Sequence, residues 1–280
     1  MDLTSVYTQL DVPAFSLLTG ALTILILLPI ASFVGYSAGK ARRNRAANSE
    51  VESELLQDDT TISAILAILG LLLAFSFGSA LSHSQNIKSA LTNEAAALGT
   101  AFLRTDYLEE PARTELREAL LAYAQTRVMP GDHTINSVEM AKAFLARSVE
   151  AQAKLWPLTL EATQDPLPPA IKSLVASSIN EALDAHLYRV QFLTNPMSNF
   201  TKLMMLAAAT VALFLLGNRA GLKGRRLTWR LHVFSLFLFV IMTTIIDTQR
   251  GNEGFVRVDD TSLRATILDM ELALAAPTGQ

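Results

Sequence analysis

Glu94 sits where a carboxylate needs an explanation. At 100° per residue, Ile87, Leu91, Leu98 and Phe102 share one helix face, and Glu94 falls near its middle. A buried carboxylate without a partner is costly, so it must be protonated or paired. Glu94 lies twelve residues past Ser82, where an apolar run ends. Arg189 precedes the next apolar run by a matching distance, which puts both groups roughly 17 Å from the apolar boundary at the helical rise. Two antiparallel helices would bring them level. The spacing therefore predicts a Glu94–Arg189 ion pair that sets the register of a helix pair, with His186, one turn away, as the alternative partner. A Glu94 ring facing a water-filled vestibule would instead favour cations.

The other reactive residues form no constellation. His83, His133, His186 and His232 are scattered, and no two have the i,i+4 spacing of a helical zinc site. There is no phosphate-binding glycine loop and no GxSxG. The acidic run Glu50, Glu52, Glu54, Asp58, Asp59 lacks the glycine and spacing of an EF-hand. It reads as a solvated linker ending in a helix cap at Asp59 or Thr60, and otherwise as a calcium clasp. With no cysteine, disulfides, thiolate metal sites and cysteine nucleophiles are excluded. These features point away from an enzyme and call for no cofactor or metal. The net charge of −3 gives no reason to expect nucleic acid as a partner.

Half of the 280 residues are hydrophobic. Mean hydropathy is +0.31, a value for a membrane protein. Four apolar runs approach the span length: Ala14–Tyr36, Thr61–Ser82, Thr201–Gly217 and Trp229–Ile246. The first reads as a retained span, because Met1–Pro13 holds Asp2 and Asp11 and no Lys or Arg. Lys40, Arg42, Arg43 and Arg45 follow the first run, and Arg219, Lys223, Arg225, Arg226 and Arg230 lie between the third and fourth. Positive residues stay cytoplasmic, so both termini are expected outside. Topology alone accounts for these clusters, and anionic-lipid binding is the functional alternative.

The expected fold is all-α. Residues 1–83 make a first transmembrane hairpin with a cytoplasmic linker at 37–60. Residues 84–197 make an extracytoplasmic helical bundle, 198–247 a second hairpin, and 248–280 an extracytoplasmic tail. Within the bundle, Glu110-Pro111 starts a helix over Pro111–Val128. Met129–His133 is a turn, Ser137 caps a further helix, and Pro157 ends or kinks it. Asp165–Ala170 is a break, followed by a stripe of Ile171, Val175, Ile179, Leu183, Leu187 and Val190. Asn195-Pro196 breaks the chain before the third span. In the tail, Leu263, Ile267, Met270 and Leu274 form an amphipathic helix that docks on the bundle, or alternatively lies in the membrane interface.

The second span has a seam of small residues, Ser63, Ala67, Gly70, Ala74 and Gly78, which suits close helix packing in lipid. Its opposite faces are bulky, with Leu69, Leu73 and Phe77 and also Leu72 and Phe75, and could meet symmetry mates around an axis, or lipid or another span. No Asp, Glu, Lys or Arg lies deep in any span, which argues against a proton-coupled transporter but not against an apolar gate.

Several stretches together carry a resemblance that covers nearly the whole chain. They are "GYSAGKARRN", "LGLLLAFSFGSALSHSQNIKSALTNEAAALGTAFLRTDYL", "ARTELREALLAYAQTRV", "INEALDAHLYRV" and "IIDTQRGNEGFVRV". With them the chain resembles a bacterial membrane-protein family of unknown function labelled "bestrophin-like domain". That family's last span ends in an Asp-Arg-Pro-like turn, where this chain has Asp247 to Arg250 without the proline. Bestrophins proper are pentameric anion channels whose second span lines the pore with bulky apolar residues. The resemblance thus implies a homo-oligomeric ion channel in a bacterial inner membrane. Its partners would be the bilayer and inorganic ions, with Leu69, Leu73 and Phe77 at the neck. Bestrophins hold their large domain in the cytoplasm, whereas the charge pattern here places it outside. The alternative function is a non-channel envelope sensor or scaffold whose outer bundle binds a partner.

Overall fold

The structure is a computed structural model that describes residues 17–45, 48–128, 138–164, 166–194, 198–225, 229–250 and 259–276. The described residues form helices and no strand. In chain order they are α1 (Leu17–Arg43), α2 (Asn48–Arg104), α3 (Ala112–Arg127), α4 (Val138–Ala162), α5 (Pro169–Thr194), α6 (Asn199–Leu222), α7 (Trp229–Arg250) and α8 (Thr261–Ala275), with a short 3-10 turn at Thr105–Tyr107. Four of them, α1, α2, α6 and α7, are long and apolar enough to cross a membrane. The chain falls into two compact units that meet in sequence at Ser82.

The membrane unit contains α1, α2 up to Ser82, α6 and α7. Its core gathers Ile24 and Leu28 of α1, Leu69 and Leu73 of α2, Met205 and Leu213 of α6, and Leu238 and Met242 of α7. The closest approach is between α1 and α6. Each carries a Gly-x-x-x-Gly pair, Gly35/Gly39 and Gly217/Gly221. A Cβ on Gly35 would sit 2.8 Å from the Phe214 carbonyl carbon, and one on Gly217 would sit 2.9 Å from that of Ser32. Both would be nearer still to the oxygens. The glycines let two backbones touch where any side chain would separate them.

The helical unit contains α2 beyond Ser82, α3, α4, α5 and α8. Its core combines Leu98 and Phe102 with Leu116, Leu120, Leu155, Val175 and Ile179. At the start of α3, Glu110 accepts from the Thr114 amide at 3.2 Å and from its hydroxyl at 2.7 Å, which satisfies a free helix-end donor. Helix α4 runs through Pro157 instead of ending there. Leu155 and Thr159 on either side of the proline are fully buried, and this packing outweighs the lost backbone bond. Helix α8 buries Leu263, Ile267 and Met270 in the same core, with Leu274 against it, so the amphipathic tail docks on protein.

Helix α2 begins at Asn48, well before the cap expected at Asp59 or Thr60. Asp59 instead pairs with Arg219 of α6. The turn expected at Met129–His133, the cap at Ser137 and the break at Asn195-Pro196 lie outside the described residues.

Candidate functional site

The helical unit holds a closed charge cluster. The apolar stripe of α2 carries Glu94 into the core, where it is fully buried. Arg189 of α5 donates from Nη1 to Glu94 Oε2 at 2.7 Å, and to the Arg127 carbonyl at 3.2 Å. Arg127, in the last turn of α3, donates from Nε to the other carboxylate oxygen at 2.7 Å. Its Nη1 donates to Ser148 Oγ at 2.9 Å, and its guanidinium stands 5.6 Å from the Phe144 ring centre. Each carboxylate oxygen thus takes one guanidinium, and three helices are tied at one point.

The structure brings Glu94 and Arg189 together. His186 is adjacent but not bonded, its Nδ1 lying 3.9 Å from Glu94 Oε1 with no hydrogen-bond partner among the described residues. Arg127 is the residue the sequence reading missed. The signal was there: Leu116, Leu120, Tyr123 and Arg127 recur at spacings of four, three and four, so a guanidinium lies on the buried stripe of α3.

Burial alone would raise the Glu94 pKa, but Arg127 and then Arg189 outweigh it, and the carboxyl is held below its ordinary value. Burial depresses the Arg189 pKa, with Glu94 opposing. For His186, burial is the largest cause, followed by Arg127. Glu94 opposes them, and the imidazole is pushed down to about 4. It is neutral at pH 7 and makes an edge contact with Tyr123 at 6.3 Å. An unfolded histidine takes its proton near 6.5, so between 6.5 and 4 the unfolded chain binds more protons. Stability therefore falls as the pH falls through this window, by up to about 3 kcal/mol. The difference in melting temperature between about pH 7.5 and about pH 5 is expected to shrink in His186→Gln. An unchanged difference would show that His186 takes its proton as readily in the folded protein as in the unfolded chain.

The membrane unit presents a different surface. Leu69 is 2% exposed and Leu73 is also buried, both within the core shared with α1, α6 and α7. The row Leu69, Leu73, Phe77 is therefore not the free face of α2, and only Phe77 is exposed. Leu69 and Leu73 fall on the same stripe as Ile62, Ser76 and Ala80, and this stripe meets the core. The free face carries Ile68 (64% exposed), Leu71 (57%) and Phe75 (69%), within an arc of about 60°. Beside it runs the small seam Ser63, Ala67, Gly70, Ala74 and Gly78, all exposed. A Cβ on Gly70 or Gly78 would meet nothing among the described residues within 4 Å. Between this seam and α7 lies an apolar groove of about 540 Å³ bordered by Gly70, Ala74, Phe77, Phe237 and Ile241. Among the described residues no three His, Asp or Glu side chains are grouped to hold a metal.

No protein-family model matches the chain, and no curated protein matches it. Its fold does match solved structures. Three crystal structures of a bacterial bestrophin homologue from Klebsiella pneumoniae, each with a single mutation, superpose on it. One has a TM-score of 0.60 at 14% identity, over 92% of this chain and 100% of that chain. A second has 0.54 at 16% identity, over 92% and 100%. A third has 0.54 at 14% identity, over 90% and 99%. The chain has a bestrophin-like fold with four apolar helices of membrane-spanning length.

Proposed function

We propose that this bestrophin-fold membrane protein assembles as a homo-oligomer and conducts inorganic ions through a pore walled by α2 of each copy. The observation that carries the reading is the open seam of α2. Small residues in lipid favour close approach of another helix, yet none among the described residues fills the space over Gly70 or Gly78. A second copy fits there and in the adjoining groove. Ile68, Leu71 and Phe75 then turn toward the axis as an apolar constriction, which gates by excluding water. This face replaces Leu69, Leu73 and Phe77 as the neck. Glu94, fully buried and paired with two arginines, has no part in ion selection. The basic ends of α1 and α6 are placed in the cytoplasm and both termini outside, in a bacterial inner membrane.

Purified protein in liposomes tests this by ion flux. Phe75→Ala is expected to widen the constriction and raise flux several-fold. Phe33→Ala, an exposed aromatic on α1, is expected to leave flux unchanged. No flux from a stable oligomer at any voltage would remove the channel reading and leave the scaffold one. Equal effects of the two substitutions would remove Phe75 from the pore.

A further inference from the structure

The two basic clusters that bracket the spans in sequence converge in space within the membrane unit. Helix α6 ends in a turn at Gly224, whose φ of +63° suits glycine. The Arg43 guanidinium from the end of α1 occupies the place a Cβ would take on Gly224. Next to this turn, a pocket of about 390 Å³ opens between α6 and α7. Arg219, Lys223, Arg225 and Arg230 line one part of it, and Leu216, Leu231 and Phe234 line the rest. Arg219 pairs with Asp59, yet its Nε is buried without a hydrogen-bond partner among the described residues. Lys223, Arg225 and Arg230 have no carboxylate partner among the described residues. Among the described residues, four cations against one carboxylate, above an apolar wall, leave a net positive field.

We propose that this pocket binds a phosphate-bearing anion, with Lys223, Arg225 and Arg230 on the phosphate and the Arg219 Nε as a further donor. Leu216, Leu231 and Phe234 suit the apolar part of an anionic phospholipid, whose headgroup would lie at the depth where these helices end. Free phosphate is the other source of the same chemistry. Topology explains why the residues are basic, but not why they enclose a cavity with an apolar back wall. The inference is independent of ion conduction.

The test uses the full chain in detergent, with retention measured by native mass spectrometry for phosphatidylglycerol and for phosphatidylcholine of the same acyl chains. Inorganic phosphate is tested as a competitor. Phosphatidylglycerol is expected to be retained preferentially. Lys223→Gln with Arg230→Gln is expected to weaken it about 30-fold, since each cation near a lipid surface is worth about a factor of five. The pair Arg147→Gln with Lys154→Gln, exposed cations on α4, is the charge-matched control and is expected to change nothing. Competition by millimolar inorganic phosphate, lost in the same double variant, would keep the site and assign it to a soluble anion. Equal retention of the two lipids without phosphate competition, or an equal loss in the control pair, would overturn the proposal.

Discussion

Glu94→Gln is expected to destabilise the helical unit by about 3–5 kcal/mol, the cost of breaking a buried ion pair from one side. The cluster holds two guanidiniums and one carboxylate, with His186 neutral beside them. Removing the carboxylate leaves two like charges facing each other out of water. Removing Arg127 or Arg189 instead leaves a neutral pair, so Arg127→Met and Arg189→Met should each cost less than Glu94→Gln. Replacing all three by Leu removes every buried charge and should recover much of the loss. The readout is thermal unfolding of the detergent-solubilised protein, where Glu94→Gln should melt more than about 10 °C below the parent. A Glu94→Gln melting point within about 2 °C of the parent would show that the cluster does not hold α2, α3 and α5 in register. The pH dependence has a definite sign. The folded carboxyl titrates below its ordinary 4.5, so its contribution is complete above that value and is lost as the pH falls through the folded value.

The sequence is more legible in the helical unit than in the spans. In the helical unit, polar and apolar residues alternate with the helical period, so a charged residue on an apolar stripe is visible as an exception. Glu94 is such an exception, and counting residues along two antiparallel helices from the ends of their apolar runs gives Arg189 as its partner. Arg127 was legible by the same rule, but its partner lies 33 residues away across a short helix and a turn, where counting from the apolar boundary gives no level. In the spans the rule fails. Every face of a transmembrane helix is apolar, so the sequence carries little contrast between the side of α2 that meets the core and the side that is open. The resemblance implies a neck of bulky apolar residues at Leu69, Leu73 and Phe77, and bulk does not distinguish a core from a pore. Of the two outcomes open at Pro157, an end or a kink, the end does not occur, because local chemistry stops a helix only where packing does not hold it.

The α1–α6 contact gives the second large effect. Gly217→Val places a branched side chain where the Ser32 carbonyl already stands, and Gly35→Val does the same against Phe214. The obstacle is backbone on a packed helix, so relief requires the two helices to move apart along their whole contact. Overpacking of a well-filled core costs about 1–3 kcal/mol when side chains can shift, and a backbone clash exceeds that range. Each substitution is therefore expected to abolish monodisperse folded protein in detergent, as read by size-exclusion chromatography and thermal unfolding. Gly70→Val and Gly78→Val are the informative contrast. They lie on the same kind of helix, but nothing among the described residues is within 4 Å of the added atom. If the open seam of α2 is where copies meet, these two should leave the single chain folded and shift the protein from oligomer to monomer. A Gly217→Val protein that folds like the parent would show that α1 and α6 do not pack backbone to backbone. A Gly70→Val protein that keeps its oligomer would show that the seam faces lipid. The two glycine pairs thus separate what holds one copy together from what joins it to the next.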